Sequence, residues 1–339
     1  MSKVSVLIPA YNPVKEHLHE CLESVFAQSF KDCEVIIVDD GSSVDVKEML
    51  LPFADKVKYL RKENGGANSA RLLGLQESQG EYIALIDNDD LWVLDKLEKQ
   101  VKFLDEYPEV DLIFSNFQNF NSDGPIGRNF FDQNKVIRGM SHKTALKAGS
   151  NCKIFTEDVT YDYLRGDFII QCTFMVRVKT CKELKIFETS AYVREFHEFG
   201  TQSIHLLGLG YIDEVLAHRR IHGTNTTLNM EKVFLSTIEI YQKALGYSWM
   251  DAQCRKYLKK ELIKAQFLLG KYDFVKGDFE KAREVWERLL GQGFHLRSMT
   301  LLYLTYIISP SVVLQLSQTR NQFLSILRLN KKSRVKSGS

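Results

Sequence analysis

The chain has no Cys-x-x-Cys pair: its six cysteines, Cys21, Cys33, Cys152, Cys172, Cys181 and Cys254, are scattered through 339 residues. That spacing argues against a zinc site or a disulfide framework and fits a reducing compartment. Charge of one sign is also missing. The net charge is only +2, so nothing global points to nucleic acid. No long apolar run opens the chain, because the stretch in MSKVSVLIPAYNP stops at Pro9 and is too short for a secretory core segment. The expected location is therefore the cytoplasm. No GxGxxG follows the first apolar run, which argues against a dinucleotide-dependent hydride-transfer enzyme. The segment Pro9-Ala10-Tyr11-Asn12-Pro13 contains no glycine, so it lacks the Gly-rich loop of a sugar nucleotidyltransferase.

What is present is ordinary in composition, with 44% hydrophobic and 26% charged residues, and long enough for two domains. The densest signal is Ile83–Asp90, IALIDNDD, where an apolar run ends in Asp87-Asn88-Asp89-Asp90. An apolar run bounded by a polar cluster reads as a buried strand emerging at its exposed end. Carboxylates packed this closely repel one another unless a cation sits among them. Their oxygens are the hard ligands preferred by Mg²⁺ or Mn²⁺, ions that also hold substrate phosphates.

The same strand-then-polar-turn pattern occurs twice upstream. Val4–Ile8 runs into Pro9-Ala10-Tyr11-Asn12, and Val35–Val38 runs into Asp39-Asp40-Gly41-Ser42. Between them Leu18, Cys21, Leu22, Val25 and Phe26 recur at helical spacing. Val46–Phe53 predicts a second helix, Val57–Leu60 a third strand, Ala67–Glu77 a helix after the turn Asn64-Gly65-Gly66, and Tyr82–Ile86 a fourth strand. Alternating strands and helices imply βαβ units and a mostly parallel sheet, with ligands at the carboxyl ends of its strands. Three polar clusters fall at such ends.

Further on, Val110–Phe117, Phe168–Val178 and Ile212–Arg220 read as strands, and Asn119–Asn134 as a long loop. From about Glu231 glycine and proline thin out and helical periodicity takes over. Ala265–Leu290 predicts two helices around Lys276-Gly277-Asp278, with Leu269, Gly270, Tyr272, Ala282 and Trp286 near the tetratricopeptide pattern. Met299–Leu316 is apolar but interrupted at Ser309-Pro310-Ser311, and is followed by Arg320, Arg328, Lys331, Lys332, Arg334 and Lys336. An apolar helix with a basic tail suits peripheral attachment to an anionic membrane, here the cytoplasmic face of the inner membrane.

Four motifs in order, VSVLIPAYN, VIIVDDGS, NGGANSARLLGL and GEYIALIDNDD, resemble the nucleotide-binding half of a family 2 glycosyltransferase of the GT-A fold. A weaker resemblance continues through FETSAYVREFHEF and YIDEVLAHRRIHGTNTT to about Asn229. It implies a glycosyltransferase domain over residues 1–229, divided into a nucleotide-sugar half (1–106) and an acceptor half (107–229). A helical region (230–297) and an apolar, basic tail (298–339) would follow. It also implies an inverting transferase of the polysaccharide-biosynthesis type, with a nucleotide-sugar donor (a UDP-sugar foremost), a divalent metal and a glycan acceptor, which the apolar, basic tail points to as lipid-linked.

By this resemblance Pro9, Ala10 and Tyr11 pack on the base and Asp39 accepts its hydrogen bonds, with Asp40 beside it. Asn64 shapes the turn before a helix whose Arg71 reaches the diphosphate. Asp87 lies by ribose and metal, Asp89 ligates the metal directly, and Arg220 and His222 belong to a loop closing on the diphosphate. The family's acidic pair falls on Arg194-Glu195-Phe196-His197-Glu198, where Phe196 replaces the second acid. Either Glu195 or Glu198 is then the catalytic base, with His197 a third candidate. The competing reading is a non-catalytic interaction protein with a degenerate transferase domain and a helical partner-binding region.

Overall fold

The computed structural model describes residues 2–140, 143–146, 151–189, 191, 193–223 and 229–291. The chain opens with β1 (Val4–Ala10), α1 (Lys15–Phe26), β2 (Cys33–Asp39), α2 (Val46–Met49), β3 (Lys58–Arg61), α3 (Ala67–Gln76) and β4 (Tyr82–Leu85). The expected second helix is shorter than the apolar periodicity implied. It ends at Met49 and yields to a 3₁₀ turn over Leu51–Phe53, because Pro52 lacks the N–H that a continuing helix needs.

Next come β5 (Leu91–Trp92), α4 (Lys96–Glu106), β6 (Leu112–Asn121), β7 (Gly124–Pro125), α5 (Phe130–Gln133) and α6 (Lys135–Gly139). The segment expected as one long loop from Asn119 to Asn134 therefore contains the end of β6, a short hairpin return and a helical turn capped by Asn129. Then follow β8 (Thr144–Leu146), β9 (Cys152–Phe155), α7 (Thr160–Gly166), β10 (Met175–Arg177), α8 (Val178–Glu183), α9 (Glu195–Ser203) and β11 (Leu209–Arg220). Only three residues of the strand expected over Phe168–Val178 pair in the sheet. Last are α10 (Met230–Leu245), α11 (Ala252–Lys276) and α12 (Phe279–Gly291).

The sheet is mixed, in the order β3-β2-β1-β4-β10-β6-β11-β9-β8. Its first four strands are parallel, as helical crossovers between them require. β10 runs antiparallel between β4 and β6, while β6 and β11 are parallel. Both faces are covered, so the central strands are apolar throughout rather than alternating. On one face lie Val4, Val6, Ile8, Val35, Ile37 and Ala84, packed with Leu18 and Leu22 of α1. On the other lie Leu7, Ile36, Val38, Ile83 and Leu85, packed with Ala70 and Leu75 of α3. The alternate Cβ directions of a strand divide one continuous apolar run between the two cores.

By their contacts the residues fall into two compact units, Met1–Leu228 with Lys243–Leu258, and Asn229–Gln242 with Lys259–Ser339. In the second, Lys276 ends α11, Gly277 turns the chain at φ +92°, and α12 starts at Phe279. Phe274, Ala282, Trp286 and Leu289 form its core. Gly270 has no substitute there, since a Cβ would sit 2.6 Å from Trp286 Nε1. Among the described residues no helix is long and apolar enough to cross a membrane. The apolar run and basic tail expected to meet a membrane lie outside the described residues.

Candidate active site

β2, β1 and β4 are parallel neighbours, so their carboxyl ends, Asp39, Ala10 and the turn after Leu85, emerge along one edge of the sheet. The first two are locked together. Asn12 adopts a left-handed conformation (φ 46°), which asparagine tolerates better than most residues. Its N–H donates to Ser42 Oγ at 2.8 Å and its Oδ1 accepts from Ser43 N at 2.7 Å. Pro9 and Ala10 are buried parts of β1, while Tyr11 stands 53% exposed beside this lock.

Asp39 is fully buried. Its Oδ1 accepts from Ser42 N at 2.8 Å, and its Oδ2 accepts from Tyr59 Oη at 2.8 Å and Arg61 Nη1 at 2.7 Å. Burial alone would push this carboxyl up. The bonds from Ser42 and Tyr59 and the Arg61 charge outweigh it and hold the group below the usual carboxylate range. Asp40, expected at the donor, commits its carboxylate to the chain itself. It accepts from Lys62 Nζ at 2.9 Å, Gly65 N at 3.0 Å and Gly66 N at 2.7 Å. Asn64 braces the same turn by donating from Nδ2 to Asp40 O at 3.0 Å. Gly41 (φ +77°) is required here, because a Cβ would lie 2.7 Å from Asn64 N.

Arg71, on the first turns of α3, is 2% exposed. Nη2 donates to Asp87 Oδ1 at 2.7 Å, Nη1 donates to Asn68 Oδ1 at 2.9 Å, and Nη1 lies 3.5 Å from Glu195 Oε1. The guanidinium stacks over Phe196, 5.1 Å from its ring centre. The structure thus brings Arg71, Asp87 and Glu195 into one cluster. Burial pushes the Glu195 carboxyl above the usual glutamate range, partly countered by the Arg71 charge, while the Asp87 charge reinforces the rise. A cavity of about 260 Å³ opens beside it, lined by Gly65, Gly66, Asn68, Phe187, Thr189 and Glu195.

The two other base candidates face elsewhere. Glu198 is nearly fully buried, accepting from Ala191 N at 2.7 Å and Lys243 Nζ at 2.6 Å. His197 lies against Asp167, with Nδ1 3.2 Å from Oδ1, and its ring stacks on Tyr163. Burial lowers the His197 pKa.

The Asp87–Asp90 turn is tied on three sides. Asn88 Nδ2 donates to Pro9 O at 3.0 Å, Cys21 Sγ to Asp87 O at 3.5 Å, and Arg220 Nε to Asp89 O at 2.8 Å. Arg220 also pairs with Glu20 and stacks on Phe120. Asp90 accepts the Arg220 N–H at 2.9 Å. Burial and the neighbouring Asp89 and Asp87 charges push its carboxyl well up.

Asp89 Oδ2 meets His222 Nε2 at 2.7 Å. Burial and the Asp87 charge raise Asp89 above the usual range, against the lowering effect of His222. Among the described residues no three His, Cys, Asp or Glu side chains come together as an ion cage. Tyr59, Arg61, Asn68 and His17, whose ring lies 5.4 Å from that of His222, belong to the site but were not singled out from sequence. The available signal for Tyr59 and Arg61 was their place on a strand ending beside Asp39.

A family model described as Glycosyl transferase family 2 matches residues 5–182, more than half of the chain. An uncharacterised glycosyltransferase of Rickettsia typhi is 28% identical over 261 residues, 77% of this chain and 74% of that protein. A putative teichuronic acid biosynthesis glycosyltransferase of Bacillus subtilis, TuaG, is 41% identical over 108 residues, 30% of this chain and 42% of that protein. Among solved structures, Staphylococcus aureus TarS 1–349 in complex with UDP-GlcNAc superposes with a TM-score of 0.60 at 17% identity. That match covers 94% of this chain and 92% of that one.

Proposed function

The chain belongs to glycosyl transferase family 2, and on that premise we propose that it moves a sugar from a nucleotide-sugar donor, a UDP-sugar foremost, to a hydroxyl of a glycan. The observation that carries this reading is the Arg71–Asp87–Glu195 cluster at the open edge of the sheet, with a cavity beside its glutamate. The reaction is a single displacement with inversion. The acceptor oxygen bonds to the anomeric carbon as the bond from that carbon to the diphosphate oxygen breaks. The electron pair leaves with the diphosphate and the acceptor proton passes to Glu195. A carboxylate whose pKa is raised toward working pH is the better proton acceptor. Arg71 is placed to meet the departing negative charge.

Asp89 and His222, a hard oxygen and an imidazole nitrogen already in contact, fit a divalent ion that arrives with the diphosphate, since Mg²⁺ and Mn²⁺ often take only one or two protein ligands plus phosphate oxygens. Asp87, engaged by Arg71, is separated from Asp89 in the chain by Asn88. Such an ion would neutralise charge on the leaving group.

The family and a solved structural neighbour crystallised with UDP-GlcNAc support the donor class. The test is a thermal-shift screen of UDP-, GDP- and dTDP-sugars with Mn²⁺. A UDP-sugar at 100 times its Kd should stabilise the fold by about 2.7 kcal/mol, and a screen in which no nucleotide sugar moves Tm counts against the whole reading. The polysaccharide-type relative and the basic tail support a lipid-linked acceptor met at a membrane surface. Full-length protein should float with anionic vesicles and a chain ending at residue 298 should not. Equal flotation of the two rejects the tail as the anchor.

A further inference from the structure

At the end of β2 the group best placed to meet a ligand is Arg61 rather than Asp39. The Asp39 carboxylate has no exposed surface, whereas the Arg61 side chain above it is 52% exposed. Ser42 fixes the arrangement. Its N–H holds Asp39, its carbonyl accepts from Arg61 Nη2 at 2.9 Å, and its hydroxyl accepts the Asn12 N–H at 2.8 Å. Tyr11, also exposed, directly precedes Asn12. One serine therefore anchors both an open aromatic ring and an open guanidinium. A guanidinium carries five N–H donors and no acceptor, so Arg61 retains N–H groups beyond those bonded to Asp39 and Ser42.

A flat ring packed on Tyr11 would offer its polar edge to the exposed Arg61, with Asp39 covered behind it. Uracil presents a carbonyl at position 4 next to an N3–H, an acceptor beside a donor. Cytosine presents an amino group there, which reverses the contact with Arg61 and sets donor against donor. Guanine shares the uracil pattern on a larger ring. We propose that Arg61 selects the nucleobase by donating to the position-4 carbonyl of uracil, with the covered Asp39 holding the guanidinium in place. This rests on the reading that the edge binds a nucleoside diphosphate, and it adds the residue that chooses among bases.

The test is calorimetric binding of UDP, CDP and GDP, each with Mn²⁺, to the full chain and to Arg61→Gln and Arg61→Lys. Glutamine offers both a donor and an acceptor and is blind to the reversal. Lysine keeps a positive charge over the buried Asp39 and so preserves the local fold. The wild type should favour UDP over CDP by about tenfold or more. Arg61→Gln should weaken UDP by about tenfold and bring the UDP-to-CDP ratio close to one, and Arg61→Lys should narrow that ratio. An unchanged ratio in both variants, including an equal loss of all three nucleotides, would overturn the role of Arg61 while leaving the donor class intact. A wild type that binds none of the three would overturn the donor reading as well.

Discussion

Glu195→Gln is expected to lower kcat for sugar transfer by about 10²–10⁴-fold while nucleotide binding persists. Glutamine keeps the shape and can still bond near Arg71, but it cannot take the acceptor proton. Glu198→Gln is expected to behave differently. It weakens the contact with Lys243 Nζ at 2.6 Å and should lower stability by about 1–3 kcal/mol, with the surviving folded protein still active. Thermal melts and steady-state kinetics on both variants separate the two. Loss of turnover in Glu198→Gln with Glu195→Gln near wild type would exchange their roles. No effect of either on a protein that still binds UDP would favour the non-catalytic reading.

The pH profile supplies an independent check. A base works deprotonated, so activity falls as pH falls through its pKa. Burial holds Glu195 above the usual glutamate range, so the acidic limb of kcat/KM should lie above an ordinary glutamate value and disappear in Glu195→Gln.

Asp89→Ala should reduce transfer by about 10²–10³-fold and abolish the response to Mn²⁺. The Asp89 carboxylate is only 22% exposed and touches His222 Nε2 at 2.7 Å, and burial and the Asp87 charge raise the cost of ionising it. A cation relieves that repulsion. Removing Asp89 would take away the oxygen beside His222 that the proposed ion needs. The assay is transfer measured across a Mn²⁺ titration, with Asp89→Asn as the shape-preserving control. Full activity in Asp89→Ala would end the case for a metal held at this aspartate.

Much of the first half of the fold was legible because its local signals agree. Val4–Ile8, Val35–Val38 and Tyr82–Ile86 are apolar runs that stop at polar turns, and each became a strand within two residues of the expected limits at either end. Legibility fails where local and tertiary preferences part. Phe168–Val178 is apolar enough to be a strand, yet most of it packs under the sheet and only Met175–Arg177 pairs. The polar run after Asn119 reads as loop, but β6 continues because β11 pairs with it as far as Phe120 and β7 pairs with Asn121.

The sequence by itself determined the order of strands and helices from β1 to β4, the three polar strand ends and the family to which they belong, because each rests on a run of neighbouring residues. It could not choose between Glu195 and Glu198, three positions apart on one helix. Only the folded chain sets Arg71 against the first and Lys243 against the second. Nor could it reveal that Asp40 holds a turn while Arg61 covers Asp39, or that Asp89 meets a histidine 133 residues away. Charge and hydrogen bonding act over a few ångströms of space, and which groups come that close is fixed by the pairing of distant strands.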